Sequence, residues 1–368
     1  MCKNCTYHSL LCNGENELQR MKKIVRLTII VGIIITLGFI ILLVANDMLR
    51  IYLQTPRYGK IDIELEFTGF GREHLREVGT YSVSAEGINT VNVVWLSGAV
   101  YIDTHTGDEI VINEFAWNNL RDDQRLKFDV SDQTLEIQFT ANAGARNMLP
   151  KQVEILIPYA FVQDFESFYI NTTSGRVIVN NIQATDFIAN TVSGRIQLKD
   201  IVAYNLSLST TTTRSSGRIQ VQNIISNVIN ISTGDGRIEV YDSKADEMFL
   251  RSWSRRVEAT DIEVRSLYTR AHINRISGRI NQVDVNGTLS PARYATIRSD
   301  IIPESVTVRT FNGIELVVPA SDSAPISVQY STTADGFMSE IPVISDAGEN
   351  AQFYLNSRNG RILIRNIY

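Results

Sequence analysis

One short phrase recurs six times between residues 174 and 280. The copies are Ser174-Gly175-Arg176-Val177, Ser193-Gly194-Arg195-Ile196, Ser216-Gly217-Arg218-Ile219, Asp235-Gly236-Arg237-Ile238, Ser254-Arg255-Arg256-Val257 and Ser277-Gly278-Arg279-Ile280. Successive copies lie 19, 23, 19, 19 and 23 residues apart. A fixed period near 20 makes each repeat one supersecondary unit that cannot bury its apolar side alone. Stacked neighbours must bury it, so the chain is constrained to a solenoid whose sides stay exposed.

Aligned on the Gly, the columns carry separate physical meanings. Val177, Ile196, Ile219, Ile238, Val257 and Ile280 follow the Arg, and Val179, Leu198, Val221, Val240, Ala259 and Gln282 come two residues later. Polar positions alternate with them, as in a strand with one face inward. Asn181, Asp200, Asn223, Asp242, Asp261 and Asp284 come next. Asn and Asp tolerate left-handed geometry, so this column is a corner. A second inward pair precedes each Gly, as in Phe168/Ile170, Phe187/Ala189 and Met248/Leu250. In both 23-residue intervals the four extra residues fall just before the phrase, near 210–214 and 271–275. Both inserts would then lie on one edge of the stack.

The Gly column supplies either φ > 0 or a close backbone approach. The Arg column has the opposite parity to the Val/Ile column and points outward. Strands stacked about 4.8 Å apart would align Arg176, Arg195, Arg218, Arg237, Arg256 and Arg279 as a ladder of like charges. Glu239 and Glu258 stand two residues on along the same face as internal partners. The ladder is either a solvated, partly paired face or a stripe that binds polyanions, and these six arginines are the candidate ligand-binding residues. The Ser254-Arg255-Arg256 copy lacks the Gly, which predicts a relaxed turn or left-handed strain.

Strand patterning extends both ways. Upstream it covers Ile88 to Trp95, Ala99 to Ile102, Ile110 to Ile112, Leu126 to Val130, Leu135 to Ile137 and Val153 to Ile157. Downstream it covers Val306 to Val308, Asn312 to Val318, Ile326 to Val328 and Asn359 to Ile364. Beyond residue 50 the sequence predicts an all-β chain, a single-stranded β-helix or β-solenoid with coils of 19–23 residues.

Residues 27–45 form a run of nineteen with no charge and no Pro, in which only Thr28 and Thr36 are polar. That length spans a bilayer. Arg20, Lys22, Lys23 and Arg26 precede it, which puts the N-terminus in the cytoplasm and the repeats outside. A cleaved signal peptide is the alternative. The expected organisation is a cytoplasmic tail (1–26), a transmembrane helix (27–46), a juxtamembrane segment with an N-terminal β cap (47–84) and a solenoid ectodomain (85–368). The chain is expected in the cell membrane as a single-pass protein.

Residues 1–50 hold six of the 35 basic and three of the 40 acidic side chains, so the remainder carries 29 against 37, a net charge of −8. An acidic exterior argues against nucleic acid as partner. Cys2, Cys5 and Cys12 are the three cysteines and all precede the apolar run, so no disulfide staples the repeats. With His8 they offer four zinc ligands at a spacing tighter than ordinary fingers. Reduced thiols are the alternative, and a true start at Met21 would remove the cluster. His8, His74, His105 and His272 have no partner at nucleophile or metal spacing. A polysaccharide-cleaving β-helix would need paired carboxylates at a cleft. The nearest candidates, Asp200, Asp242, Asp261 and Asp284, alternate with Asn and read as turn chemistry. No enzyme and no cofactor are expected.

The anchor, the entry phrase Ile88-Asn89-Thr90-Val91-Asn92-Val93 with Ser97-Gly98-Ala99-Val100, and the T-x-S-G-R-I-x-V-x-N-I units together resemble the bacterial putative-adhesin domain. The resemblance covers about residues 80–365. It implies an extracytoplasmic β-solenoid of Gram-positive envelope proteins, some linked to envelope stress, and supplies no catalytic residues. The expected role is a membrane-anchored, non-enzymatic adhesion or binding surface. Its partners would be an anionic wall polymer or another envelope protein. The alternative is a scaffold assembling end to end, because Tyr368 follows the last strand with no polar cap.

Overall fold

A computed structural model describes residues 75–140, 151–163, 165–211, 217–286, 292–320, 325–332, 336–345 and 352–367. The chain divides into two compact units, Met1–Thr68 and Gly69–Tyr368. Every described residue belongs to the second. The apolar run 27–46 and the Cys2, Cys5, His8, Cys12 cluster lie outside the described residues. Among those described, no helix is long and apolar enough to cross a membrane.

The second unit is a β-solenoid, in which twenty-two described strands form one hydrogen-bonded system. Its first strands are β1 (Arg76–Ser84), β2 (Thr90–Trp95), β3 (Gly98–His105), β4 (Glu109–Ala116), β5 (Lys127–Ser131), β6 (Thr134–Gln138), β7 (Lys151–Pro158) and β8 (Ser167–Thr172). They do not stack in chain order. β2 lies between β6 and β8, and β3 lies between β7 and β9 (Arg176–Thr191), all in parallel. Three antiparallel pairings close the outer side: β4 on β7, β1 on β4 and β5 on β6. The coil of β2 and β3 is therefore interior, and the later coil of β6 and β7 lies outside it.

A buried ion pair pins this inserted coil. Lys151 Nζ lies 2.6 Å from Glu114 Oε1, with side-chain exposures of 3% and 0%. The ammonium also donates to the Gln124 carbonyl at 2.7 Å and stands 4.4 Å from the centroid of the Phe139 ring. Glu114 accepts the Leu126 N–H at 3.0 Å. Burial pulls the Lys151 pKa down, and the Glu114 carboxylate counters the shift. Beside the pair, Trp95 Nε1 donates to the Lys151 carbonyl at 3.1 Å. Gly98 has φ +105°, and a Cβ there would meet that same oxygen at 1.8 Å.

The regular coils follow. β9, β10 (Ile196–Thr210) and β11 (Ile219–Thr233) pair in parallel, residue against equivalent residue. β12 (Ile238–Tyr241), β13 (Lys244–Ser252) and β14 (Arg256–Arg270) continue the stack. The expected inward columns are buried and join one continuous core. The chain bends first at Asn181, Asp200, Asn223, Asp242 and Asp261, each with φ between 50° and 57°. Only Gly, Asn and Asp adopt that region cheaply, so this column is set by backbone geometry. A second bend falls at Thr185, Tyr204 and Asn227, which the pairing skips.

The closing corner explains the phrase. Thr191, Thr233 and Ser252 end the third side and are at most 2% exposed. Thr233 Oγ1 accepts the Gly236 N–H at 2.8 Å and donates to the Gly217 carbonyl of the coil before at 3.0 Å. Ser252 repeats this with the Arg255 N–H at 3.2 Å and the Gly236 carbonyl at 2.8 Å. A Cβ at Gly236 would lie 1.7 Å from the Gly217 oxygen. Close approach, not positive φ, is what requires Gly here. Arg255 fills the Gly place without positive φ, so the left-handed strain expected there does not arise.

The sixth copy of the phrase is out of register. β15 (Ile273–Asn286) meets β14 with Arg256 opposite Ile273, Ala259 opposite Ile276, and Glu263 opposite Arg279. The interval is 17 residues at Ala259 and 16 at Leu267, not 23, so the second expected insert does not exist. Opposite Ser252, at the hydroxyl position, the chain places Ala271. It has no hydroxyl to accept a Gly N–H. Two residues, His272 and Ile273, then close the coil before Asn274, where Val192 to Arg195 spend four before Ile196. Asp284 accordingly sits inside a strand instead of at a corner. The first insert falls after Thr210, where 212–216 lie outside the described residues.

Beyond β16 (Ala292–Ser299) and β17 (Ser305–Val318) come β18 (Ile326–Thr332), β19 (Phe337–Ser339), β20 (Val343–Ser345), β21 (Phe353–Ser357) and β22 (Ile362–Asn366). β21 lies between β17 and β18, and β22 between β17 and β19. The strand nearest Tyr368 is therefore interior, contrary to the open edge expected there.

Two substitutions test these contacts. Gly236→Ala should lower stability to urea by at least about 2 kcal/mol, since a methyl group must displace backbone; an unchanged midpoint would refute the close approach. Lys151→Met should cost about 3–5 kcal/mol by leaving Glu114 buried and unpaired. The double change with Glu114→Leu should recover most of that loss in the same measurement.

Candidate functional site

The outward residues of the first side of each coil form three neighbouring columns. Arg176, Arg195, Arg218, Arg237 and Arg256 make the first, in the register expected. Arg279 is not in it; Ile273 takes the sixth place, and Arg279 stands opposite Glu263 on the second side. The middle column is Ile178, Gln197, Gln220, Glu239 and Glu258, and the third is Asn180, Lys199, Gln222, Tyr241 and Thr260.

Although the middle column points outward, Ile178, Gln197, Gln220 and Glu239 are only 5%, 9%, 4% and 2% exposed. The long side chains on either side cover them. Charge in this column is thus partly desolvated and needs a close partner. Glu239 receives Arg218 Nε at 3.0 Å and Arg237 Nη1 at 3.2 Å. Arg256 Nη2 lies 2.8 Å from Glu258 Oε2. Burial, followed by the Glu239 and Glu258 charges, pushes the Tyr241 phenol up to about 12. Arg195 is exposed and has no ion pair among the described residues. Across five coils the three columns hold six cations against two carboxylates, a local +4 on a chain of net −5. The excess sits in the first three coils, because both glutamates belong to the last two.

At the N-terminal end of this face Tyr101 OH donates to Asp103 Oδ2 at 2.7 Å. Asn180 and Asn181 each donate to the same carboxylate, at 3.1 and 2.8 Å. Burial, then this carboxylate, raises the Tyr101 phenol above its ordinary range. The cluster links the interior coil of β3 to β9 and leaves the buried Asn180 Oδ1 without a partner among the described residues. Among the described residues no group of three or more His, Cys, Asp or Glu could hold a metal ion.

The repeat pattern does not announce one further surface. On the second side, Val202, Tyr204 and Ile225 are exposed around a groove of about 350 Å³. Its only sequence signal is two apolar residues in an outward column that is otherwise polar or charged: Gln183, Val202, Ile225, Lys244, Glu263 and Arg279.

No curated protein matches the chain. Among solved structures, it is similar to one described as a putative adhesin from Parabacteroides distasonis, at 12% identity, with 80% of this chain and 97% of that one covered and a TM-score of 0.44. A second such structure, from Parabacteroides merdae, is 13% identical, with 81% and 98% covered and a TM-score of 0.43. A third, from Bacteroides fragilis, is 13% identical, with 80% and 97% covered and a TM-score of 0.34. The family model described as Toastrack DUF4097 matches residues 91–281, which include all six copies of the phrase. That span is more than half of the 368 residues, and the chain belongs to the Toastrack DUF4097 family.

Proposed function

We propose that the protein is a non-enzymatic binding domain of the bacterial cell envelope, whose arginine-bearing face meets an anionic envelope polymer. The nineteen-residue apolar run anchors it in the membrane, with the preceding basic cluster in the cytoplasm and the solenoid outside. The setting suggested by its resemblance to the putative-adhesin domain is adhesion or envelope stress.

The observation that carries this reading is the basic group on the first three coils. Arg176, Arg195, Arg218 and Lys199 stand around an uncharged middle column of Ile178, Gln197 and Gln220. Parallel register repeats these cations every ~4.8 Å along the stack, which suits a ligand with its own regular charges. Arg218, Arg237 and Arg256 contribute less, because Glu239 holds the first two and Glu258 the third, so Arg195 and Lys199 carry most of the available charge. End-to-end assembly is less favoured. β19 and β20 are three residues long, and β1 and β5 are held antiparallel, so the described residues offer no long parallel edge at either end.

In pull-down on an immobilised teichoic-type polyphosphate at low salt, Arg195→Ala should weaken binding and flatten its salt dependence. Glu239→Gln should strengthen it by releasing Arg218 and Arg237. Retention of Arg195→Ala equal to that of the parent protein at low salt would sink the arginine-face reading.

A further inference from the structure

The groove on the second side has a chemistry unlike the rest of the surface. Val202 is 41% exposed, Ile225 50% and Tyr204 60%. Phe165 and Gln163, just beyond the 3-10 turn Tyr159–Phe161, also line it. Gln183, Thr185 and Asn227 complete the polar lining. Among the described residues no Asp, Glu, Lys or Arg lines the groove itself, and Lys244, which follows Ile225 in the same outward column, is paired with Glu263 at 2.9 Å.

The polar lining is also uncommitted. The side chains of Gln163, Gln183, Thr185 and Asn227 have no hydrogen-bond partner among the described residues. The neighbouring Ser226 hydroxyl is different: its single O–H is shared between the Tyr204 carbonyl at 3.1 Å and the Val228 carbonyl at 2.9 Å, and so fixes the bend that carries Tyr204. The groove is thus supported from below and chemically open above. Its volume lies at the lower end of the range for small-ligand sites, roughly 300–1,000 Å³.

We propose that this groove binds a neutral saccharide. A sugar ring presents an apolar C–H face and a rim of hydroxyls. The Tyr204 ring with Val202 and Ile225 suits the face. Carboxamides both donate and accept, so three of them and one hydroxyl can bracket hydroxyls of either polarity. An anion would find no cation in the lining, with Lys244 beside Ile225 already paired with Glu263, and a purely apolar ligand would bury four polar side chains without partners. The site lies on a different side of the coil from the arginine face, and neither needs the other.

The test uses the full chain in lipid nanodiscs, with sugar-headgroup detergents excluded, titrated calorimetrically with chitotetraose and maltohexaose. At least one should bind. Tyr204→Ala should weaken that binding about tenfold, the loss of one stacked aromatic contact with its buried area. Val202→Glu, which places an unpartnered charge in the lining, should abolish it. Added salt and Arg195→Ala should leave the affinity unchanged, whereas both should weaken binding to the polyphosphate. The proposal is overturned if neither oligosaccharide binds. It is equally overturned if Tyr204→Ala, with an unaltered melting transition, binds as the parent does, or if salt weakens the saccharide complex. Polyphosphate binding that disappears with Arg195→Ala while no saccharide binds would leave the arginine face standing and remove the groove site alone.

Discussion

The solenoid depends on one buried contact repeated at the closing corner: a Thr or Ser hydroxyl between the glycine carbonyl of one coil and the amide three residues on in its own. Buried backbone groups must be paired, and at a tight corner the regular strand ladder cannot reach them. Thr191, Thr233 and Ser252 supply the missing partners. The contact needs one coil to approach the next closely, which is why Gly194 and Gly236 have no room for a Cβ. Once the corner is fixed, register is fixed, and with it every outward column. The ends reuse the device, since Gly360 donates to Ser357 Oγ at 3.1 Å and its carbonyl accepts Thr332 Oγ1 at 2.7 Å.

What could be read from the sequence follows from this. The inward columns and the Asn/Asp corner were legible, because period-2 burial and left-handed geometry each restrict residue type locally. The pairing of Arg237 and Arg256 with Glu239 and Glu258 was legible for the same reason, as two columns two residues apart on one face, whereas the reach of Arg218 to Glu239 across coils was not. Arg279 was misplaced because Ser277-Gly278-Arg279-Ile280 has the letters of the phrase without its hydroxyl chain. Ala271 stands where Thr or Ser is needed, and the coil closes short. Coil order at the ends was illegible, because a parallel strand's local pattern does not specify which coil lies beside it. Nor could the groove be seen, since Phe165 and Ile225 meet only after three coils have stacked.

The reordered ends have a mechanical consequence. A solenoid that stacked strictly in chain order would finish on a parallel strand with unpaired backbone groups, which is a template for another copy. Here the strands nearest each end of the stack are antiparallel, as with β1 and β5, or only three residues long, as with β19 and β20. The buried Lys151–Glu114 pair holds the inserted coil at one end. At the other, β21 and β22 are held between strands on both sides.

Separating core from surface so strictly lets one scaffold present chemically opposite faces. The left-handed bend at Asn181, Asp200, Asn223, Asp242 and Asp261 divides the first side from the second. Before the bend, outward positions carry cations packed over a nearly dry column, so a carboxylate placed there, as at Glu239, draws in the neighbouring arginines and neutralises them. After the bend, the same coils carry Val202, Tyr204 and Ile225 beside uncommitted amides, with no charged side chain among the described residues that line the groove. The inward columns of both sides are equally apolar, so neither surface is dictated by packing. Core residues could be exchanged among Val, Ile and Leu with little change at either face, whereas a single charge placed in the groove, or one carboxylate added to the first three coils, would change what that face can bind.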